Sequence, residues 1–221
     1  MSVCICTKEY APPPLNVKEA LRYAGGRGDT PTPELQEAWE LLAPALRYSV
    51  CWARLPVQRK EDVLDLTFAQ TPSRDLQRAL LGCEELLLTA ATVGLGPDRL
   101  AARYGRLAPA KALLIGAIGT ERVESLLDVF AREQNGRLQQ EGLRLTPRFS
   151  PGYGDLPLQL QAAIIPYLDT PKRIGVVLNE SLLMSPAKSV TAIIGIRRTG
   201  DILKEKSGCD GCRRKDCEFR R

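Results

Sequence analysis

The stretch that most constrains the fold is 148–157, Arg-Phe-Ser-Pro-Gly-Tyr-Gly-Asp-Leu-Pro, because it cannot adopt regular structure. Two glycines and two prolines within ten residues give the backbone a fixed, tight path. The alternating segment 143–146 just before it is typical of a short strand with one buried face. We therefore expect a rigid turn that begins where a strand ends.

Two side chains in this turn can recognise a ligand. Arg148 can bind a carboxylate or phosphate through two parallel charge-assisted hydrogen bonds, and Tyr153 offers a flat face with a polar tip. The tight backbone path also leaves N–H and C=O groups free to contact a small polar molecule. The alternative interpretation is an ordinary strand-to-helix connection whose arginine binds a backbone carbonyl.

The rest of the chain mixes helical and strand periodicities without regular βαβ alternation, and it contains no nucleotide-binding glycine motif and no internal repeat. The predicted class is α+β, an antiparallel twisted sheet with packed helices. The predicted helices span about 17–23, 32–46, 73–94, 98–104, 108–134 in two parts, and 158–168. The predicted strands span about 48–55, 63–66, 143–146, 173–178 and 189–196, and the last two are joined by a loop at 179–186.

Composition limits the chemistry. The chain has no histidine, which excludes histidine general bases, Ser/His and Cys/His nucleophile pairs and histidine-ligated metal sites. The net charge is only +5, and the charges are interspersed, which argues against a nucleic-acid partner. The apolar runs are too short to span a bilayer, so we expect no membrane association. Seven cysteines without a secretory signal predict a reducing, cytoplasmic location.

The C-terminal tail is a separate candidate site. It is basic and carries Cys209, Cys212 and Cys217 in a C-x2-C-x4-C pattern. Three thiols are one short of the usual set for zinc or an iron–sulfur cluster, and Cys4 or Cys6 can complete it. The alternative is three reduced thiols on a flexible tail. We divide the chain into an N-terminal Cys/Pro-rich segment (1–15), a ligand-binding domain (16–200) and this tail (201–221).

Three motifs together resemble a known family. They are Arg148-x3-Gly152-Tyr153, the run Leu-Asn-Glu-Ser-Leu-Leu-Met-x-Pro at 178–186, and the strand opening Ser189-Val190. The combination resembles the activation domain of cobalamin-dependent methionine synthase, which binds S-adenosylmethionine, and the likeness covers roughly residues 75–197. One departure is that the family's Gly-Tyr-Pro-Ala-Cys-Pro is Gly-Tyr-Gly-Asp-Leu-Pro at 152–157, which leaves the turn geometry after the tyrosine open.

The resemblance implies a set of ligand contacts. Arg148 would hold the carboxylate of S-adenosylmethionine, with Ser150, Pro151, Gly152 and Tyr153 in the same pocket. Glu124 and Glu180 would be acidic groups near the positive end of the ligand, and their alternative is that of ordinary solvated residues. The family's N-terminal acidic contact cannot be placed within 17–25.

The resemblance also implies a function. The domain would support reductive methylation of cob(II)alamin to methylcobalamin on a separate cobalamin-binding methionine synthase chain, using S-adenosylmethionine and an electron from a flavodoxin- or ferredoxin-type donor. The 221 residues leave no room for the homocysteine, folate and cobalamin modules. No acid or base is needed, because the cofactors carry the chemistry. The alternatives are a redox activator of another corrinoid methyltransferase with an iron–sulfur centre in the tail, or a noncatalytic metal-binding interaction module.

Overall fold

The computed structural model describes residues 4–200, and the largest sheet within that range has five strands in the order β1-β2-β6-β10-β7. These strands are β1 Ile5–Glu9, β2 Ser49–Pro56, β6 Glu85–Thr92, β7 Leu143–Leu145 and β10 Ser189–Arg198. Each neighbouring pair is antiparallel. The remaining strands are β3 Gln58–Lys60, β4 Val63–Asp65 and β5 Gln70–Thr71, which form one small sheet, and β8 Val177–Leu178 and β9 Met184–Ser185, which form another.

Helices pack on the two faces of the five-stranded sheet. They are α1 Val17–Tyr23, α2 Pro33–Leu42, α3 Arg74–Ala79, α4 Gly96–Tyr104, α5 Pro109–Gln139, α6 Gln161–Tyr167 and α7 Thr170–Ile174, with short 3-10 turns at Ala43–Ala45 and Leu158–Leu160. One buried cluster joins the sheet to α1, α2 and α5, and a second joins its other face to α3 and α6. The predicted α+β class, an antiparallel sheet with packed helices, is confirmed.

The predicted helix from residue 73 to 94 is wrong beyond Ala79. Ser73 does cap a helix, accepting a hydrogen bond from the Leu76 amide, but α3 ends after six residues. Gly82 then takes a positive φ of 74°, and the chain enters β6. The strand lies between β2 and β10 and is buried on both faces, so residues 86–91 form a nearly continuous apolar run that only Thr89 interrupts. Such a run fits a buried helix and a central strand equally well.

Two smaller expectations also need correction. Helix α5 is one continuous helix of 31 residues where two parts were expected. Gly119 was expected to mark close packing or a joint, and the structure shows close packing, because a Cβ there would lie 3.0 Å from Lys188 Cγ and from Pro97 Cβ. Of the strand expected at 173–178, only Val177–Leu178 is extended, because residues 173 and 174 end helix α7 and the next two residues have no regular structure.

The N-terminal segment contributes a strand to the sheet. β1 lies within the range 1–15 that the sequence sets apart, and it pairs with β2 from Ile5 opposite Ala53 to Glu9 opposite Ser49. Arg173 of α7 donates hydrogen bonds to the Ile5 carbonyl at 3.1 Å and to the Thr7 hydroxyl at 3.4 Å. Residues 5–9 are therefore tied to the fold. Among the helices within residues 4–200, none combines the length and apolar character that crossing a bilayer requires.

Candidate ligand-binding site

A cavity of about 220 Å³ lies between helix α1, the middle of helix α5 and the start of the turn at 148–157. Its lining is almost entirely polar, in contrast to the apolar clusters on the two faces of the sheet. The lining residues are Asn16, Glu19, Tyr23, Glu121, Glu124, Ser125, Asp128 and Arg148. The acidic members of α5 recur at three- and four-residue spacing, which places them on one face of that helix.

Arg148 is held over this cavity by two carboxylates of α5. One terminal nitrogen donates to Glu124 Oε2 at 2.9 Å, and the other donates to Asp128 Oδ1 at 2.8 Å. About a quarter of the Arg148 side chain is exposed. A guanidinium carries more N–H donors than these two bonds use, so Arg148 can accept a further anionic partner without releasing both acids.

The charged side chains around the cavity have a negative net charge. Glu19 is paired with Arg22 at 2.8 Å, and Glu121 is paired with the buried Arg122 at 2.5 Å. Once these two pairs are set aside, Glu124 and Asp128 face one cation within residues 4–200, Arg148. Two negative charges and one positive charge give a local sum of −1. The cavity therefore suits a ligand that carries one carboxylate and an excess of positive charge.

The α1 wall of the cavity is fixed by the buried Arg122. This guanidinium is fully buried and donates hydrogen bonds to the Pro13 carbonyl at 2.6 Å and the Pro14 carbonyl at 2.8 Å. Its partner Glu121 accepts a hydrogen bond from the Asn16 amide at 3.2 Å, just before α1 begins. The proline-rich segment is thereby attached to α5, and helix α1 follows from that attachment.

The sequence did not indicate this wall. Asn16 is confirmed as the N-cap of α1, but Glu19 and Tyr23 were not expected at the site. Within 17–25, where the sequence placed no acidic contact, Glu19 lines the cavity. Its position depends on the Pro13–Asn16 attachment to α5, which no local pattern reveals. Asp128 could have been found, because it lies four residues after Glu124 on the same helical face.

The turn after Arg148 is as tight as its composition predicts. Phe149 pairs with Ile193 of β10, and the Gly152 amide donates to the Leu156 carbonyl at 2.9 Å. Gly152 and Gly154 both have positive φ, at 91° and 55°, a region that favours glycine. Tyr153 lies between them with 68% of its surface exposed.

The far end of this turn is attached to helix α3 through Asp155. Its carboxylate accepts hydrogen bonds from the Ser73 hydroxyl at 2.5 Å, the Arg74 amide at 2.8 Å and the Asp75 amide at 3.1 Å. In return, the Asp155 amide donates to Asp75 Oδ2 at 3.2 Å. Burial alone would raise the pKa of the Asp155 carboxyl, but the hydrogen bonds from Ser73 and the Arg74 amide outweigh it and lower the pKa.

The candidate residues are only partly brought together. Arg148 and Glu124 line the cavity and are in direct contact. The four turn residues that follow Arg148 do not line the cavity; they are Ser150, Pro151, Gly152 and Tyr153. Glu180 is exposed in the β8–β9 connection, also outside the lining.

The predicted metal site is in the C-terminal tail. Cys209, Cys212 and Cys217 lie outside the described residues. Within residues 4–200, no group of three or more Cys, Asp or Glu side chains is arranged to hold a metal ion. Cys4 is exposed and Cys6 is half-buried, and both are free thiols.

Comparison with known proteins identifies the fold. No protein-family model matches the chain, and no curated protein matches it significantly. Among solved structures, the crystal structure described as the MetH reactivation domain bound to AdoHcy superposes with a TM-score of 0.61 at 17% identity. The match covers 87% of this chain and 78% of that one.

The chain has the fold of the MetH reactivation domain. This agrees with the expectation drawn from the motifs at 148–153, 178–186 and 189–190. At 17% identity the likeness concerns the fold.

Proposed function

We propose that this chain binds S-adenosylmethionine, with the amino-acid end of the ligand in the cavity beside Arg148. The observation that carries the proposal is the charge arrangement, one guanidinium with spare donors among carboxylates whose local sum is −1. S-adenosylmethionine has one carboxylate, one ammonium and one sulfonium group, and its net charge of +1 complements that sum. The fold supports the proposal, since a structure with this fold is described as bound to AdoHcy.

Each end of the ligand then has a distinct place. The carboxylate would bind Arg148, and Glu124, Asp128 and Glu19 would face the ammonium and sulfonium groups. A volume of about 220 Å³ is below the roughly 300 Å³ at which pockets for whole drug-sized ligands begin. The nucleoside would therefore extend out of the cavity along Ser150, Pro151, Gly152 and Tyr153, where the exposed tyrosine ring offers a stacking face.

We further propose that the bound methyl donor serves reductive methylation of cob(II)alamin on a separate cobalamin-binding methionine synthase chain in the cytoplasm. S-adenosylmethionine supplies the methyl group, and a flavodoxin- or ferredoxin-type donor supplies the electron. The residues of this chain orient the sulfonium and exclude water, and none has to move a proton. Glu180, exposed in the β8–β9 connection, would contact the ligand or the partner rather than the inner cavity.

A second element of the proposal concerns the cysteine tail. β1 and β10 are antiparallel across the sheet, so the N-terminal end of β1 and the C-terminal end of β10 lie at the same end of it. Cys4 directly precedes β1 and Cys6 lies within it. We propose that one of them joins the tail thiols Cys209, Cys212 and Cys217 in binding an iron–sulfur cluster or zinc. An iron–sulfur cluster would favour the alternative role, redox activation of another corrinoid methyltransferase.

The test is calorimetric titration with S-adenosylmethionine. Arg148→Ala should weaken binding roughly tenfold to a hundredfold, because a charge-assisted contact contributes about 1.5–3 kcal/mol. Arg148→Lys should recover only part of the affinity, since an ammonium cannot reproduce the fork. The matched control is Arg54→Ala, which removes another arginine that bridges two carboxylates, Glu85 and Glu141, away from the cavity.

The catalytic role has its own assay. A methionine synthase lacking its activation domain is mixed with this chain, a one-electron reductant and S-adenosylmethionine. The methylcobalamin spectrum should return only when all components are present, and it should fail to return with Arg148→Ala. Equal recovery without this chain would exclude the reactivation role, and wild-type affinity of folded Arg148→Ala would remove Arg148 from the binding site.

A further inference from the structure

The departure from the family pattern within the turn has a structural counterpart. Gly154 and Asp155 stand where the family has proline and alanine, and these two residues make the contacts to helix α3. A proline restricts a turn through its own ring. Here hydrogen bonds to a segment about 80 positions away in the sequence restrain the same part of the chain.

We propose that Asp155 is a positioning residue that holds the Tyr153-bearing turn against helix α3 and so presents the turn to the bound nucleoside. The proposal rests on the proposed function for the identity of the ligand. Asp155 itself contacts no ligand. It acts through the backbone of residues 152–154. Contacts hold this backbone at both ends, those of Arg148 on the cavity side and those of Asp155 with α3 on the other side.

The close approach of the turn to α3 is visible at Gly154. A Cβ at this position would collide with Asp75 Oδ2 and would lie 3.0 Å from Asp75 Cγ, and its φ is +55°. Only glycine fits both the space and the backbone conformation. The glycine thus lets the backbone come near enough for the reciprocal hydrogen bonds between Asp155 and Asp75.

The receiving element is rigid enough to serve as an anchor. Leu76 and Leu80 are buried in the second core cluster, which fixes α3 and the residue after it against the sheet. Leu156, next to Asp155, is only 2% exposed in that same cluster. Asp155 and Leu156 together hold one end of the turn, and the Phe149–Ile193 pairing holds the other.

The Asp155 bonds also complete the cap of α3. Ser73 Oγ accepts from the Leu76 amide, while the Asp155 carboxylate accepts from the Arg74 and Asp75 amides. Removing the carboxylate therefore loosens the turn and leaves two helix N–H groups to solvent. A purely structural cap would affect only the stability of the protein. A positioning residue must change the turn and ligand affinity as well.

The experiment compares Asp155→Ala with Asp155→Asn and with Thr32→Ala. Thr32 caps α2 by accepting from the Leu35 amide at 3.3 Å, away from both the turn and the cavity, so it controls for the loss of a helix cap. Two readouts are taken for each protein. One is S-adenosylmethionine affinity by calorimetry, and the other is hydrogen exchange, without ligand, of the Gly152, Tyr153 and Leu156 amides, which are hydrogen-bonded within the turn.

Asp155→Ala should exchange these three amides at least about tenfold faster and bind S-adenosylmethionine roughly tenfold more weakly. Asp155→Asn keeps one acceptor and should give an intermediate result, whereas Thr32→Ala should match the wild type in both readouts. Unchanged exchange or unchanged affinity in Asp155→Ala would overturn the proposal, as would an equal effect of Thr32→Ala. If the wild type does not bind S-adenosylmethionine, the proposed function fails together with the nucleoside contact, and the exchange result alone decides whether Asp155 anchors the turn.

Discussion

Replacing Arg122 with methionine tests how the cavity wall is held. The substitution preserves much of the side-chain length but removes the charge that pairs with Glu121, a residue only 1% exposed. The Pro13 carbonyl also loses its donor at a buried position, whereas the Pro14 carbonyl is in an exposed residue and can bind water. The direct consequence is an uncompensated carboxylate inside the protein.

The expected cost follows from these contacts. Removing one partner of a buried ion pair costs about 3–5 kcal/mol, because the remaining charge is desolvated without compensation. Glu121 keeps hydrogen bonds from the Asn16 amide and the Ser125 hydroxyl, which places the loss at the lower end. We therefore expect Arg122→Met to lower the free energy of unfolding by about 3 kcal/mol. Arg122→Met combined with Glu121→Gln should be more stable than Arg122→Met alone, because it removes the stranded charge.

Urea unfolding at neutral pH measures these differences. The control is Arg137→Met on the same helix, which breaks an exposed i,i+4 pair with Glu133 and should cost less than about 1 kcal/mol. If Arg122→Met loses no more stability than Arg137→Met, the buried pair does not hold the wall. If the double variant loses the full sum of the two single changes, the reasoning from a stranded charge is refuted.

Two further predictions concern metal binding and acid. Anaerobically purified protein should contain stoichiometric iron or zinc, and Cys212→Ser should abolish it; free titration of all seven thiols would refute the site. Because the pKa of Asp155 is lowered in the folded state, its contribution to stability is present above the unfolded pKa near 3.8 and is lost as the pH falls through the folded pKa. The free energy of unfolding should thus fall less steeply below about pH 4 in Asp155→Asn than in the wild type, and equal slopes would contradict the pKa shift.

Local signals in the sequence were sufficient for most of the elements. Asn16, Thr32 and Ser73 each cap the helix that follows, because a short polar side chain accepts a hydrogen bond from an amide three residues on. Strand β10 was also predicted, since β-branched residues dominate its first half. Each of these signals acts within a few residues of chain.

The features that were missed depend on distant contacts. Strand β6 reads as helix because both of its faces are covered, and only its pairing with β2 and β10 defines it. Arg148 and Glu124 were predicted at the site, and the structure places them in contact. The α1 wall of the cavity was not predicted, because its position depends on Arg122, which binds a segment more than 100 residues earlier in the chain.

The turn at 148–157 combines both kinds of determinant. Its glycines and prolines predict a rigid backbone path, but they do not predict the direction in which Tyr153 points. That direction depends on Asp155 reaching the N-terminus of α3, a contact between residues that share no sequence pattern. A turn stiffened by proline is rigid at any pH, whereas a turn stiffened by a carboxylate depends on that group being ionised. Substituting Gly-Asp for a proline-based turn therefore keeps the geometry stable near neutral pH while making it sensitive to acid and to a single side-chain change.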